Sequence, residues 1–357
     1  MIAEGVLSAE MIRELVAAGA VRLARPLAPN QLQPASLDLT LGSRGWRVRA
    51  SFLPSRARRL EERLADGLLM HEIDLTRSAV LERGCVYVVE LAERIALPED
   101  VSAAANPKSS TGRIDVFVRL VVDNGAEFDA APAGYSGPLY AEISPRTFSI
   151  LVREGSSLNQ MRFKRGACRL GDAALEALHG AAALIDGDAD ICGGVGIRAK
   201  IAGEAGETIG WRARRHAALI DVDQAGALIP ADYFEAIEAP RCRFIILDPD
   251  EFYILASREA LRVPPECAAE MTPIDPGLGE FRVHYAGFFD PGFGCGQGSR
   301  AVLEVRSHDA PFVLEDGQLV ARLAFERMAA RPGRLYGEAA SHYQGQGLKL
   351  SKHFRES

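Results

Sequence analysis

No two of the six cysteines stand in a C-x-x-C pair, which excludes the usual spacing of a zinc ribbon or a dithiol redox centre. They read instead as reduced, buried thiols. The seven histidines form neither H-x-x-x-H nor H-E-x-x-H. Also missing is the H-x-E followed by P-C-x-x-C with which zinc-dependent nucleobase deaminases hold the metal that activates water. No run approaches the roughly 18 apolar residues of a membrane span. The N-terminus carries Glu4, Glu10 and Glu14 and no basic stretch, so it does not read as a secretory signal. A net charge of −7 argues against a broad polyanion-binding surface but leaves room for a local cationic pocket. What is present, 357 residues with 48% hydrophobic and 25% charged, suits two globular domains of ordinary size. These features predict a cytoplasmic protein whose partners include neither a nucleic-acid polymer nor a membrane.

The chain repeats itself. Gly45-Trp46-Arg47-Val48-Arg49 returns as Gly210-Trp211-Arg212-Ala213-Arg214, 165 positions on. Tyr87-Val88-Val89 returns as Tyr253-Ile254-Leu255 at 166, and Phe128-Asp129 matches Phe289-Asp290 at 161. Glu142 meets Glu304, Ile150 to Gly155 meets Phe312 to Gly317, and Phe163 meets Phe325, all at 162. A near-constant offset over this length predicts two tandem copies of one domain, 1–168 and 169–357, with the boundary near Gly166–Asp172.

Each copy reads mainly as strand. Segments such as CVYVVEL, DVFVRLVV, RFIILD and AVLEVRS are short, rich in β-branched and aromatic residues, and bounded by Gly, Pro or Asp. That pattern suggests a β-sandwich or jelly roll. Two helices interrupt it. Residues 8–18 start at Ser8 and stop at Gly19, and residues 173–179 follow Asp172 as cap and stop at Gly180.

Four segments could carry chemistry. Lys108-Ser109-Ser110-Thr111-Gly112-Arg113 gathers hydroxyls, a glycine and two cations, which suits phosphate, although alone it reads more readily as a polar turn with a solvated Lys and Arg. Glu142 and Glu304 lie within strand-like runs, where a carboxylate either faces solvent or is buried with a raised pKa fit for a general base. Phe289-Asp290-Pro291-Gly292-Phe293 reads as a hairpin turn whose tip could meet a ligand. The polar run from Tyr336 to Gln346 is either a disordered tail or a cover for a site.

In this order the segments resemble the dCTP deaminases, relatives of the trimeric dUTPases. The family's Q-P-A-S-x-D-L-x-L-G stands as Gln33 to Gly42, and its R-S-S-x-x-R loop as Lys108 to Arg113. Its A-x-x-x-D-P-G hairpin stands as Ala286 to Gly292, its V-L-E strand as Val302-Leu303-Glu304, and its Tyr/Gln tail as Tyr336, His342 and Gln346. The resemblance implies a mainly β chain of two tandem dUTPase-like, distorted jelly-roll or sandwich domains with a few short helices, assembled as a homo-oligomer. It implies deamination of dCTP to dUTP and ammonia by a glutamate-activated water, with no zinc and with Mg²⁺ arriving on the triphosphate. Ser109 and Arg113 would orient the water and stabilise charge at C4. Lys108, Ser110, Thr111, Gly112, Ala286, Asp290, Val302, Leu303, Tyr336, His342 and Gln346 would bind substrate.

The departures are informative. At offset 166, Ser109 falls on Asp275 and Arg113 on Gly279, so copy two lacks the loop. Copy one lacks Asp-Pro-Gly in its hairpin. Complementary losses predict a composite site, with Lys108, Ser109, Ser110 and Arg113 from copy one, and Ala286, Asp290 and Glu304 from copy two, within one chain or between two. Glu304 is the first choice for the base and Glu142 the rival. Lys108, in place of the usual arginine, gives up bidentate phosphate contact. The competing readings are a dUTP diphosphatase, a bifunctional deaminase and diphosphatase, a catalytically silent nucleotide-binding regulator, and a sugar- or protein-binding sandwich.

Overall fold

The computed structural model describes residues 3–273, 281–284, 287–307, 309–338 and 343–355. They form two compact units. Unit 1 comprises Met1–Cys168 with Ala218–Ala225 and Met328–Gly333, and unit 2 comprises Arg169–Ala217, Gly226–Arg327 and Arg334–Ser357. The chain is mainly β with a few short helices, as its short alternating runs predict. Among the described residues, no helix is long and apolar enough to cross a membrane.

In unit 1, Gly5–Val6, Asn159–Arg165, Val101–Pro107 and Ala130–Ala131 pair in that order, and Leu37–Leu39 also joins Asn159–Arg165. A second sheet runs Leu69–Asp74, Leu41–Val48, Val86–Ala96, Ser136–Pro145, Val116–Val122. Unit 2 repeats both. Val195–Arg198, Leu319–Arg327, Cys267–Pro273 and Phe288–Phe289 form one sheet. Phe234–Glu238, Thr208–Ala213, Tyr253–Leu261, Ser299–Ser307 and Phe281–His284 form the other. Fully buried Phe163 stands opposite Ala103, as fully buried Phe325 stands opposite Ala269. A large ring against a small neighbour fills each core without overpacking it.

The registers tie each glutamate to its row. Trp46, Val88, Glu142 and Arg119 are successive partners across the second sheet of unit 1. In unit 2 the same row reads Trp211, Ile254, Glu304, His284. The repeat is therefore a repeat of structure.

Three details differ from the sequence reading. The second helix spans Asp172–Ala182 with Gly171 as cap, runs through Gly180, and ends where Ala183 turns left-handed at φ 46°. The Asp172 carboxylate accepts instead from the Gly193 N–H. The hairpin correspondence also moves: Tyr135 N bonds Pro132 O as Phe293 N bonds Asp290 O. Pro132 is thus the counterpart of Asp290, and Phe128-Asp129 only mimics Phe289-Asp290. Finally, all six cysteines are free, but Cys192, Cys242 and Cys295 are exposed because they lie on loops outside the sheets.

Candidate active site

The loop that suggested phosphate binding is one helical turn, Ser109–Gly112, entered from extended Lys108. Thr111 and Gly112 donate their N–H groups to Lys108 O at 2.8 and 3.0 Å, and Arg113 N donates to Ser109 O at 3.1 Å. Ser110, Thr111 and Arg113 are buried and Ser109 half-buried, so this is not a solvated polar turn. Lys108 is committed locally: its ammonium pairs with the Asp38 carboxylate and reaches Ser157 Oγ at 3.3 Å. Asp38, part of the Q-P-A-S segment, holds that cation in place beside the turn. A phosphate would have to share Lys108 with Asp38.

The two glutamates occupy equivalent strand positions and both are buried. Their surroundings differ. Glu142 accepts from Ser51 Oγ at 2.9 Å and from Phe52 N at 3.4 Å. Phe52 packs with Trp46, Leu60, Leu64, Val88, Val121 and Tyr140, so residues following the Leu41–Val48 strand close over that face of the sheet. Burial raises the Glu142 pKa, while the Ser51 and Phe52 hydrogen bonds and the Arg119 charge oppose the rise. A groove of about 390 Å³ opens nearby, with Arg44, Arg59 and Arg94 interleaved with Glu61, Glu90 and Asp123. Arg44 lies 3.8 Å from Glu61 and Arg94 3.6 Å from Glu90. Equal numbers of opposed charges suit a triphosphate poorly.

A carboxyl whose folded pKa lies above its unfolded value binds protons more tightly in the native state. Its contribution to stability is present at or below the ordinary glutamate range and is lost as pH rises toward the raised native value. Glu142→Gln removes that loss. The variant is expected to match or exceed the parent in thermal stability at neutral pH and to lose the advantage in acid. Melting curves across pH check this.

In unit 2 the segment at the position of Ser51 and Phe52 is 214–233, and its middle, Ala218–Ala225, belongs to unit 1. At offset 165 Ser51 and Phe52 fall on His216 and Ala217, which stay in unit 2, so the serine hydroxyl that caps Glu142 has no counterpart serine there. Strand alternation points Val302 and Glu304 to one face and puts fully buried Leu303 in the unit 2 core with Leu255, Val305 and Phe325. Only the backbone of Leu303 remains for contact with a ligand.

The hairpin tip is held by the chain's C-terminal segment. Tyr336 N donates to Pro291 O at 2.8 Å, and its ring lies 5.7 Å from Phe293, which meets Phe289 edge-on at 5.0 Å. Gln344 uses both ends of its amide: Nε2 donates to Gly292 O and Oε1 accepts from Gly294 N, each at 3.1 Å. Gln346 Nε2 donates to Arg300 O at 3.0 Å, while Arg300 N donates to Gln346 O at 2.9 Å. Gly294 sits at φ +69°, where an added Cβ would lie 1.9 Å from Leu261 O, so no side chain fits. Tyr336, Gln344 and Gln346 thus cover the tip beside buried Asp290. Ala286, His342, Asp275 and Gly279 lie outside the described residues. Among the described residues no three His, Cys, Asp or Glu gather as a metal-holding group. Gln344, Ser51 and Asp38 received no role from sequence; the Tyr-Gln-Gly-Gln run containing Gln344 was the available signal.

Comparison with known proteins covers both halves. The model of the N-terminal domain of 2′-deoxycytidine 5′-triphosphate deaminase matches residues 3–167, and that of its C-terminal domain matches residues 171–354. A solved 2′-deoxycytidine 5′-triphosphate deaminase from Agrobacterium tumefaciens is 51% identical, with a TM-score of 0.88 over 91% of this chain and 99% of that one. A dUMP-forming dCTP deaminase of Coprothermobacter proteolyticus is 28% identical over 44% of this chain and 81% of its own. A dCTP deaminase of Haloarcula marismortui is 27% identical over 37% of this chain and 66% of its own.

Proposed function

Because the chain belongs to the 2′-deoxycytidine 5′-triphosphate deaminase family, we propose that it converts dCTP and water to dUTP and ammonia, with Glu304 as general base. The observation that carries the choice of base is the contrast between two equivalent carboxylates. Glu142 is capped by Ser51 and Phe52, whereas copy two has His216 and Ala217 at those positions and keeps the intact Asp-Pro-Gly hairpin.

In this reading Glu304 takes a proton from the water that attacks C4 and returns it to the leaving amine. Ser109 and Arg113 orient the water and stabilise charge at C4, while Lys108, Ser110, Thr111 and Gly112 hold phosphate. A glutamate thus does what zinc does in the metal-dependent nucleobase deaminases. Mg²⁺ comes with the triphosphate as part of the substrate. Asp290, Val302 and the tail residues Tyr336 and Gln346 complete the nucleotide's surroundings.

Gln344 supports the tip without touching substrate. Gln344→Ala removes two hydrogen bonds of about 1 kcal/mol each. It is expected to raise KM for dCTP up to about tenfold, change kcat less, and speed hydrogen exchange at Gly294 N–H. Exchange that stays at the parent rate would show that the amide does not hold the tip.

A second reading rests on one finding: some relatives are named dUMP-forming. The protein would then also hydrolyse dUTP to dUMP and pyrophosphate. Incubating it with dUTP alone separates the two. Unchanged dUTP supports a plain deaminase, and pyrophosphate with dUMP supports the bifunctional form.

A further inference from the structure

The two units differ at one small sheet. In unit 1, Ala79–Leu81 and Ile150–Val152 pair antiparallel, and Ile220–Asp221 adds a third strand parallel to the second. Ile220 N donates to Ser149 O at 3.1 Å and Val222 N to Leu151 O at 3.3 Å. Arg153 then locks the added strand, reaching Asp221 at 2.8 Å and Asp223 at 2.5 Å. Unit 2 has the same hairpin, Phe244–Leu247 with Phe312–Glu315, but among the described residues no third strand lies on it. The edge that would receive one carries the carbonyls of Pro311 and Val313. Its cross-strand pair Ile246 and Val313 is 53% and 45% exposed. An unpartnered strand edge with apolar residues is a template for another strand.

The charges identify what fits. Where copy one has Arg153, copy two has Glu315. The excursions 49–68 and 214–233 have equal length, so they align without gaps and place Arg56 on Asp221 and Arg58 on Asp223. Both sides of the contact have thus reversed sign together. Arg58 already pairs with Asp66, but Arg56 is exposed and makes no ion pair among the described residues, and the same holds for Glu315. Ser55, Arg56 and Ala57 form an exposed turn closed by one long bond, Arg58 N to Ser55 O at 3.4 Å.

We propose that the open edge of unit 2 receives residues 55–57 of a second copy of this chain, as a short parallel strand fastened by Arg56 to Glu315. Each chain offers one tip and one open edge. The contact is therefore head-to-tail, the kind that closes into a ring when the rotation allows.

The test measures mass against concentration for the full-length protein by sedimentation and mass photometry. Wild type is expected to assemble. Glu315→Arg and Arg56→Glu each place like charges together and are expected to raise the dissociation midpoint about tenfold. The double exchange is expected to return it to near the wild-type value. Both positions are exposed, so folding, followed by circular dichroism, should be unaffected. A wild type that stays monomeric, single variants that assemble like wild type, or a double exchange no better than the singles would each overturn the proposal.

Discussion

Glu304→Gln is expected to lower kcat for dCTP deamination by about three to four orders of magnitude. Nucleotide affinity should change by no more than about threefold, since the amide keeps the shape of the carboxylate but cannot accept the water's proton. Glu304 sits in the backbone-paired row Trp211–Ile254–Glu304–His284, which isosteric replacement leaves intact. A lost rate therefore reports chemistry, and isothermal calorimetry with dCTP provides the affinity. Glu142→Gln is the control, because it occupies the same row of the other unit with its carboxylate capped by Ser51 and Phe52. Activity that survives in Glu304→Gln and vanishes in Glu142→Gln would reverse the assignment.

Ser109→Ala is expected to reduce kcat by about two to three orders of magnitude, the usual cost of removing one hydrogen-bonding group from a reacting centre. The fold should not suffer. Ser109 opens a helical turn whose bonds run through its carbonyl, which alanine keeps, and alanine is the better helix former. KM should move little if the hydroxyl orients water, and should carry most of the effect if it binds phosphate. A near-normal kcat and KM would leave the turn a structural element.

The tandem repeat was legible because conspicuous residues mark it. Trp46 and Trp211 and the two strand glutamates occupy matching registers. The loop, the V-L-E strand and the tail were legible as local motifs. What escaped the sequence is non-local. Phe128-Asp129 looks like Phe289-Asp290, yet the backbone bonds equate Pro132 with Asp290, so the insertion in copy two falls after the tip. Gly180 reads as a helix stop, but Leu175 and Leu178 pack on the unit 2 core and carry the helix past it. The loan of Ala218–Ala225 to unit 1 has no periodic signature, because its strand is only Ile220–Asp221. Glu142 and Glu304 are alike in their own strands. What distinguishes them lies on another segment, Ser51 and Phe52 on Glu142 against His216 and Ala217 at the matching positions of copy two.

The most direct measurement incubates the purified protein with dCTP and Mg²⁺, resolves the nucleotides by ion exchange, and measures ammonia in the same sample. Deamination through Glu304 predicts ammonia released one for one with loss of dCTP in the wild type, and neither change in Glu304→Gln. Intact dCTP with no ammonia from a wild type that binds the nucleotide in a calorimeter would contradict the account and point to a silent nucleotide-binding regulator.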